Sequence, residues 1–375
     1  MSTQSVPSKL RFILLEVITP HYHQDLAIEN MEELELLVDT FGGEIVARSV
    51  QHRPHPHPST YIGPGKLLWL QQTVKLLNAD VVVLNSIVNS GQLFRLEKAI
   101  WEVNTRIQVW DRVDLILNIF DQHATSLEAK LQIEFARIHH LGPRIYGLGA
   151  TVFSRQGGGI GTRGLGETNI ERERRKIKDR KQVISKRLRQ LASEREDVIS
   201  KRKREGIHTT ALVGYTSAGK TTLFNTLTAK NKETNASLFT TLDTVVGKLR
   251  DQDNILISDT IGFIDELPPF LIDAFRSTLL ESVEAQVLVH VIDASDLRLH
   301  EKKRAVDTIL RELGVQQQPL LVFNKVDLIS QEKRDILQEE FQLETCFFIS
   351  AKTTEGVATL QNYLVSQFDT KITTA

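Results

Sequence analysis

The apolar run ALV leads into Gly214-Tyr215-Thr216-Ser217-Ala218-Gly219-Lys220-Thr221, which fits the spacing GxxxxGK[ST], and the helical pattern TLFNTLTAK comes next. In that setting backbone N–H groups wrap the α- and β-phosphates of a nucleotide, the Lys220 ammonium reaches the β/γ oxygens, and the Thr221 hydroxyl ligates Mg2+. Asp259-Thr260-Ile261-Gly262 ends the apolar run NILIS. A carboxylate there holds Mg2+, usually through water, and the Gly262 N–H meets the γ-phosphate. Asn324-Lys325-Val326-Asp327 follows LLVF. Asp327 can accept hydrogen bonds from guanine N1–H and the exocyclic amine, whereas adenine has no N1–H to donate and would leave the site unpaired. Ser350-Ala351-Lys352, after CFFI, can aim a backbone N–H at the guanine oxygen.

Each short motif has a substantial chance rate. Here all four occur in order, each at the C-terminal end of a predicted strand, where open α/β sheets bind ligands. The conjunction resembles the P-loop GTPase superfamily. Between the first two motifs Phe239-Thr240-Thr241-Leu242-Asp243 lies in a segment with little periodic pattern. By position it is the first switch, with Thr241 sensing Mg2+ and the γ-phosphate. Lys220, Thr241 and Gly262 are therefore the candidate catalytic residues, and Thr221 and Thr241 the candidate metal ligands. Phe263 stands where many GTPases have a glutamine that orients the attacking water. Phenylalanine cannot hydrogen-bond water, so intrinsic hydrolysis should be slow unless a partner completes the site, which can change the rate by ~10³–10⁵.

Strands alternating with helices must carry these groups. Residues 10–125 pass through LRFILLEVI, DLAIENMEELELLVDTFGG, EIVARSV, KLLWLQQTVKLLN, DVVVLN, QLFRLEKAIW and RIQVWD, the pattern of βαβ crossovers and a mostly parallel sheet. From Gly206 the alternation returns with IHTTALVG, NILISDT, QVLVHVIDA, PLLVFNK and CFFISAK. The expected fold class is α/β: a small α/β unit over 1–125, a long antiparallel helical hairpin over 126–205, and a doubly wound P-loop GTPase domain over 206–375.

The hairpin rests on two capping boxes, Thr125-Ser126-Leu127-Glu128 and Thr168-Asn169-Ile170-Glu171. The first opens a helix that stops at Gly142-Pro143. The second opens one that runs to Gly206, with Ile170, Ile177, Ile184, Leu191 and Val198 at heptad spacing. A narrow apolar stripe on a highly charged helix about 55 Å long suits a coiled-coil seam. The loop 154–168, SRQGGGIGTRGLGET, would be the tip. Its Gly159-Ile160-Gly161-Thr162-Arg163-Gly164 fits the dinucleotide fingerprint GxGxxG. That reading fails on context: no strand follows until Ile207, and Asp179 would lie in mid-helix. Glycines instead permit close backbone approach, and Arg155, Gln156, Arg163 and nearby N–H groups can contact RNA. Between 163 and 205 there are 16 Lys/Arg against 8 Asp/Glu, although a solvated coiled-coil face is also routinely charged.

The chain has 375 residues, 41% of them hydrophobic and 25% charged, and a net charge of -1, so a basic partner surface must be local. One cysteine, Cys346, in an apolar run, precludes an intrachain disulfide and suits a reducing compartment. The N-terminus lacks a signal-peptide layout, and no apolar run approaches the ~20 residues of a membrane span, so a cytoplasmic protein is expected. His52, His55 and His57 alternate with prolines and read as an extended surface loop more readily than as metal ligands.

TYIGPGKL at 60–67, the glycine loop, FTTLD and DTIGFIDELP together resemble the HflX family of GTPases across nearly the whole chain. The resemblance implies GTP and GDP as ligands, Mg2+ as cofactor, and binding to the large ribosomal subunit. It further implies splitting of stalled or idle ribosomes under stress, with the hairpin loop approaching the peptidyl-transferase centre. It departs at Ser217, where many of these GTPases have an asparagine associated with potassium-assisted hydrolysis. The chain also ends soon after LQNYLVSQF, without the extra C-terminal domain of some members. A monomer is the working expectation. The rival reading is a switch whose hairpin binds a protein or membrane surface.

Overall fold

The computed structural model describes residues 9–20, 24–140, 163–228, 230, 245–260, 262–263, 268–275, 279 and 284–369. Two compact units divide the chain: Met1–Gln122 with Ile133–Ser185, and His123–Gln132 with Lys186–Ala375.

In the first unit β1 (Arg11–Ile18), β2 (Glu44–His52), β3 (Val81–Leu84) and β4 (Gln108–Asp111) form a wholly parallel sheet in the order β2-β1-β3-β4. The crossovers are α1 (Gln24–Phe41), α2 (Pro64–Leu77) and α3 (Ser90–Ile100). Every side chain of VVVL in β3 is buried, as a strand covered on both faces requires. α4 (Arg112–His123) follows β4 directly and buries Val113, Leu115, Ile116, Leu117, Ile119 and Phe120, too broad an apolar surface for a one-faced helix.

A helix over 127–140, α5, and α6 (Arg163–Arg204) follow. Glu134 holds Arg180 at 2.6 Å and Glu128 holds Arg195 at 2.8 Å, so positions descend along one helix as they rise along the other. The pairing is antiparallel. Residues 141–162, which include most of the predicted tip, lie outside the described residues.

Three details differ from expectation. Ser126, not Thr125, caps α5, its Oγ accepting from Ala129 N–H at 3.0 Å, and Glu128 pairs with Arg195 instead of closing a box. Two adjacent hydroxyls offer two registers, and the ion pair decides between them. α6 begins at Arg163, five residues before the second box. Once the helix extends backward, the N–H groups of that box meet carbonyls one turn earlier and need no side-chain cap. The apolar seam also shifts: Val198 is 48% exposed and Ile199 6%. An α-helix drifts from a strict heptad by about 20° per repeat, so after four repeats the buried position moves on by one residue. Its end is as expected: Gly206 takes φ +71° and Ile207 N–H reaches Arg202 C=O at 2.9 Å, a Schellman closure.

The second unit holds a six-stranded sheet, β10-β9-β8-β5-β7-β6. These are β5 (His208–Val213), β6 (Val245–Lys248), β7 (Ile255–Asp259), β8 (Val287–Asp293), β9 (Leu320–Asn324) and β10 (Cys346–Phe348). β6 alone runs antiparallel, pairing Val245 with Asp259 and Lys248 with Leu256. The described helices of this sheet are α7 (Lys220–Thr228), α8 (Pro269–Ala274), α9 (Leu299–Glu312), α10 (Gln331–Glu340) and α11 (Val357–Asp369). Leu212, Leu223, Phe224, Ile257, Val289, Val322, Leu360 and Leu364 fill one core layer. No helix among the described residues is long and apolar enough to cross a membrane.

Candidate functional site

The C-terminal ends of β5, β7 and β9, and the segment just after β10, bring the four motifs to one edge of this sheet. Gly214-to-Gly219 turns from β5 into α7, whose first residue is Lys220. The Lys220 amine is buried and donates to the Gly214 carbonyl at 3.0 Å and the Tyr215 carbonyl at 2.7 Å. Desolvation pulls its pKa down to about 8, against the opposing effect of Asp259. Thr221 Oγ1 donates to Asp259 Oδ2 at 2.9 Å. A hydroxyl and a carboxylate so placed are hard oxygen donors of the kind Mg2+ takes.

The loop is bound to the residues after β7 by main chain: Phe263 N–H donates to Gly214 C=O at 3.0 Å and Thr216 N–H to Phe263 C=O at 2.7 Å. Phe263 is buried. Its side chain therefore packs, and its backbone fixes the approach of Gly262 to the loop. Thr260 is buried too and ties back to Leu212 C=O at 2.7 Å.

Asn324 joins three segments. Its Nδ2 donates to Ala218 C=O, and its Oδ1 accepts Ala351 N–H, both at 2.9 Å. Gly219 makes this closure possible, since its φ is +92° and a Cβ there would collide with Asn324 Nδ2. Lys325 also takes a left-handed backbone and reaches Asp293 Oδ2 at 2.5 Å. Ser350 N–H donates to Glu355 C=O at 3.0 Å and Ser350 Oγ accepts Thr353 N–H at 3.1 Å, which closes the turn carrying Lys352. Val326 is buried, and Asp327 stands exposed on the 3-10 turn Val326–Leu328. Phe239 to Asp243, and Ile261, lie outside the described residues.

Sequence comparison identifies the lineage. Residues 28–121 match the family described as GTP-binding GTPase N-terminal, 123–202 the GTP-binding GTPase Middle Region, and 209–325 the 50S ribosome-binding GTPase. Over 355 residues the chain is 36% identical to the GTPase HflX of Escherichia coli (strain K12), covering 94% of this chain and 82% of the relative. This chain belongs to the HflX family of GTPases. Its G domain accordingly binds guanine nucleotide and hydrolyses GTP. The GTPase HflX of Caldanaerobacter subterraneus is 38% identical over 356 residues, 93% of this chain and 78% of that relative. In structure, a GTP-binding protein from Sulfolobus solfataricus in complex with GDP covers 97% of this chain, and all of its own, at TM-score 0.52 and 23% identity, a likeness of fold.

Within this HflX-family site the sequence missed Asp293, which steadies Lys325 while its other oxygen accepts Ser295 N–H at 2.9 Å. An acid closing the apolar run VLVHVI was the available signal. It also missed His290, buried in β8 with Nδ1 3.6 Å from Asp307 Oδ1. Ser217, the departure from the family pattern, is exposed with φ +61°, a conformation asparagine tolerates better than serine.

Two pH effects follow. Phosphate oxygens favour a charged Lys220, so GDP binding should take up a proton near pH 8, and affinity should fall about fourfold between pH 7 and 8.5. Calorimetry in buffers of different ionisation heat measures this; heats independent of buffer would contradict it. His290 has its pKa lowered from 6.5, first by burial, with Asp307 opposing and Lys303 and Lys220 adding to the lowering. A depressed imidazole contributes stability that is complete above 6.5 and is lost as pH falls through the folded value. Melting temperature should therefore drop more between pH 7.5 and 5.5 in the wild type than in His290→Gln, and equal drops would exclude His290 as the cause.

Proposed function

We propose that this GTPase couples its nucleotide cycle to the large ribosomal subunit, splitting or rescuing stalled or idle ribosomes under stress. The chain then works as three segments: 1–125, the hairpin 126–205 that touches ribosomal RNA, and the G domain 206–375. The observation that carries the reading is α6, 42 residues long, which leads out of the glycine-rich segment with Arg172, Arg174, Arg175, Lys176 and Lys178 exposed. Such a rod suits phosphate contacts in a narrow RNA cavity. The match of 209–325 to a 50S ribosome-binding GTPase supports the same partner.

In the nucleotide site, Gly214 to Thr221 wrap the phosphates, Lys220 bridges the β/γ oxygens, and Thr221 and Thr241 would hold Mg2+, with the Asp259 carboxylate beside Thr221. Bound Mg2+ supplies charge neutralisation on the β- and γ-phosphates. Thr241 and Gly262 sense the γ-phosphate across the segments Phe239 to Asp243 and Asp259 to Gly262. Asn324 keeps the loops together, Lys325 and Asp327 face the base, and Asp327 selects guanine. Lys352 N–H, which no described acceptor takes, is the donor of its motif open to the guanine oxygen. The protein acts as a cytoplasmic monomer.

GTP hydrolysis is measured with and without large subunits, for the wild type and a variant with Gly157 to Gly166 replaced by an inert linker. Strong stimulation that the variant loses, and that weakens steeply with salt, supports the proposal. No stimulation and no subunit binding in any nucleotide state overturns it, and a protein or membrane partner becomes the leading reading.

A further inference from the structure

Away from the nucleotide, three side chains from separate parts of the first unit converge. Asp111 ends β4, Asp114 sits in the first turn of α4, and His140 is the last described residue of α5. One ligand atom from each lies within 4.8 Å of the others, the one such group among the described residues. His140 Nε2 is 3.0 Å from Asp111 Oδ1 and 3.7 Å from Asp114 Oδ1. Around a first-row divalent cation with bonds of about 2.1 Å, neighbouring donors stand about 3.0 Å apart in an octahedron and about 3.4 Å in a tetrahedron. The observed spacings bracket those values.

The carboxylates are already oriented. Asp111 Oδ1 accepts Asp114 N–H at 2.9 Å, Asp111 Oδ2 accepts Val88 N–H at 3.1 Å, and Asp114 Oδ2 accepts Asp111 N–H at 3.3 Å. Backbone donors of this kind fix a metal-binding carboxylate from behind. Burial supplies an independent argument. Asp111 is 0% and Asp114 5% exposed. Both carboxylates are withdrawn from water beside an imidazole, so an ion held there would take its coordination from protein atoms.

We propose that Asp111, Asp114 and His140 bind a first-row divalent transition cation of the Zn2+ or Mn2+ class and so staple α5, at His140, to the β4–α4 junction. An imidazole with two carboxylates suits those ions, whereas Ca2+ would require more oxygens. The ion is structural, distinct from the nucleotide's Mg2+.

The test uses the full chain loaded with GDP and Mg2+ and titrated with Co2+ as a spectroscopic probe. One equivalent should bind with a visible absorption band and raise the melting temperature. His140→Ala and Asp114→Asn should each weaken that binding at least tenfold, while His55→Ala, at an exposed histidine of the Pro-rich loop, should leave it unchanged. Circular dichroism reports whether the variants fold. If His140→Ala does not, Asp114→Asn decides, because its amide oxygen can still accept Asp111 N–H. The proposal is overturned if the wild type gives no band at one equivalent, or if a folded variant keeps wild-type affinity.

Discussion

Asp327→Asn is expected to weaken GTP and GDP binding by about 10²–10⁴-fold and to create affinity for xanthosine nucleotides. A carboxylate facing guanine accepts from N1–H and the exocyclic amine, and hydrogen bonds to a charged group contribute about 1.5–3 kcal/mol each. The carboxamide keeps one acceptor and turns a donor toward the amine. Xanthine carries a carbonyl at that position and pairs with the donor instead. Asp327 is exposed on its 3-10 turn, so the substitution leaves the core untouched. Titration with fluorescent guanosine and xanthosine diphosphates measures both arms. Undiminished GDP affinity would mean that guanine is read elsewhere.

Gly262→Ala should lower GTP hydrolysis by about 10²–10³-fold, the usual effect of losing one preorganised donor to developing charge. GDP binding should change far less. The added Cβ would lie 2.9 Å from Thr216 Cγ2, 3.0 Å from Lys220 Nζ and 3.1 Å from Thr216 Cα. The lysine end can yield, but Thr216 is main-chain bonded to Phe263 and the loop cannot. The Gly262 N–H is then held away from the γ-phosphate while the β-phosphate cradle persists. Single-turnover phosphate release is the readout. Unchanged turnover would remove Gly262 from the catalytic set.

The strands and motifs were legible because their information is local: VVVL and LLVF bury on both faces, and the phosphate loop is written in consecutive residues. β6 was not. Its four residues, VVGK, carry no period and pair antiparallel only because β7 presents an open edge. The cap at Ser126 was ambiguous because Thr125 and Ser126 offer the same chemistry one residue apart, and Glu128 found a distant arginine. Within the site, the motif residues could be named from the sequence, Asn324 among them, but the contacts that brace the loops could not. Asp293 on Lys325 and Asn324 between Ala218 and Ala351 depend on sequence separations of 32, 106 and 27. No window along the chain records those distances.

The antiparallel ladder of β6 and β7 links the two segments assigned to sensing the γ-phosphate. Val245, two residues beyond Asp243, faces Asp259, while Lys248 and Leu256 close the opposite end. On the proposed reading, the Val245 end of this zipper adjoins those two segments and the Lys248 end is its remote stop. Loss of the γ-phosphate would fray it from Val245 inward and leave Lys248 engaged. Amide exchange should then quicken in GDP as a gradient along four rungs, so that the distance the opening travels is itself a record of which nucleotide is bound.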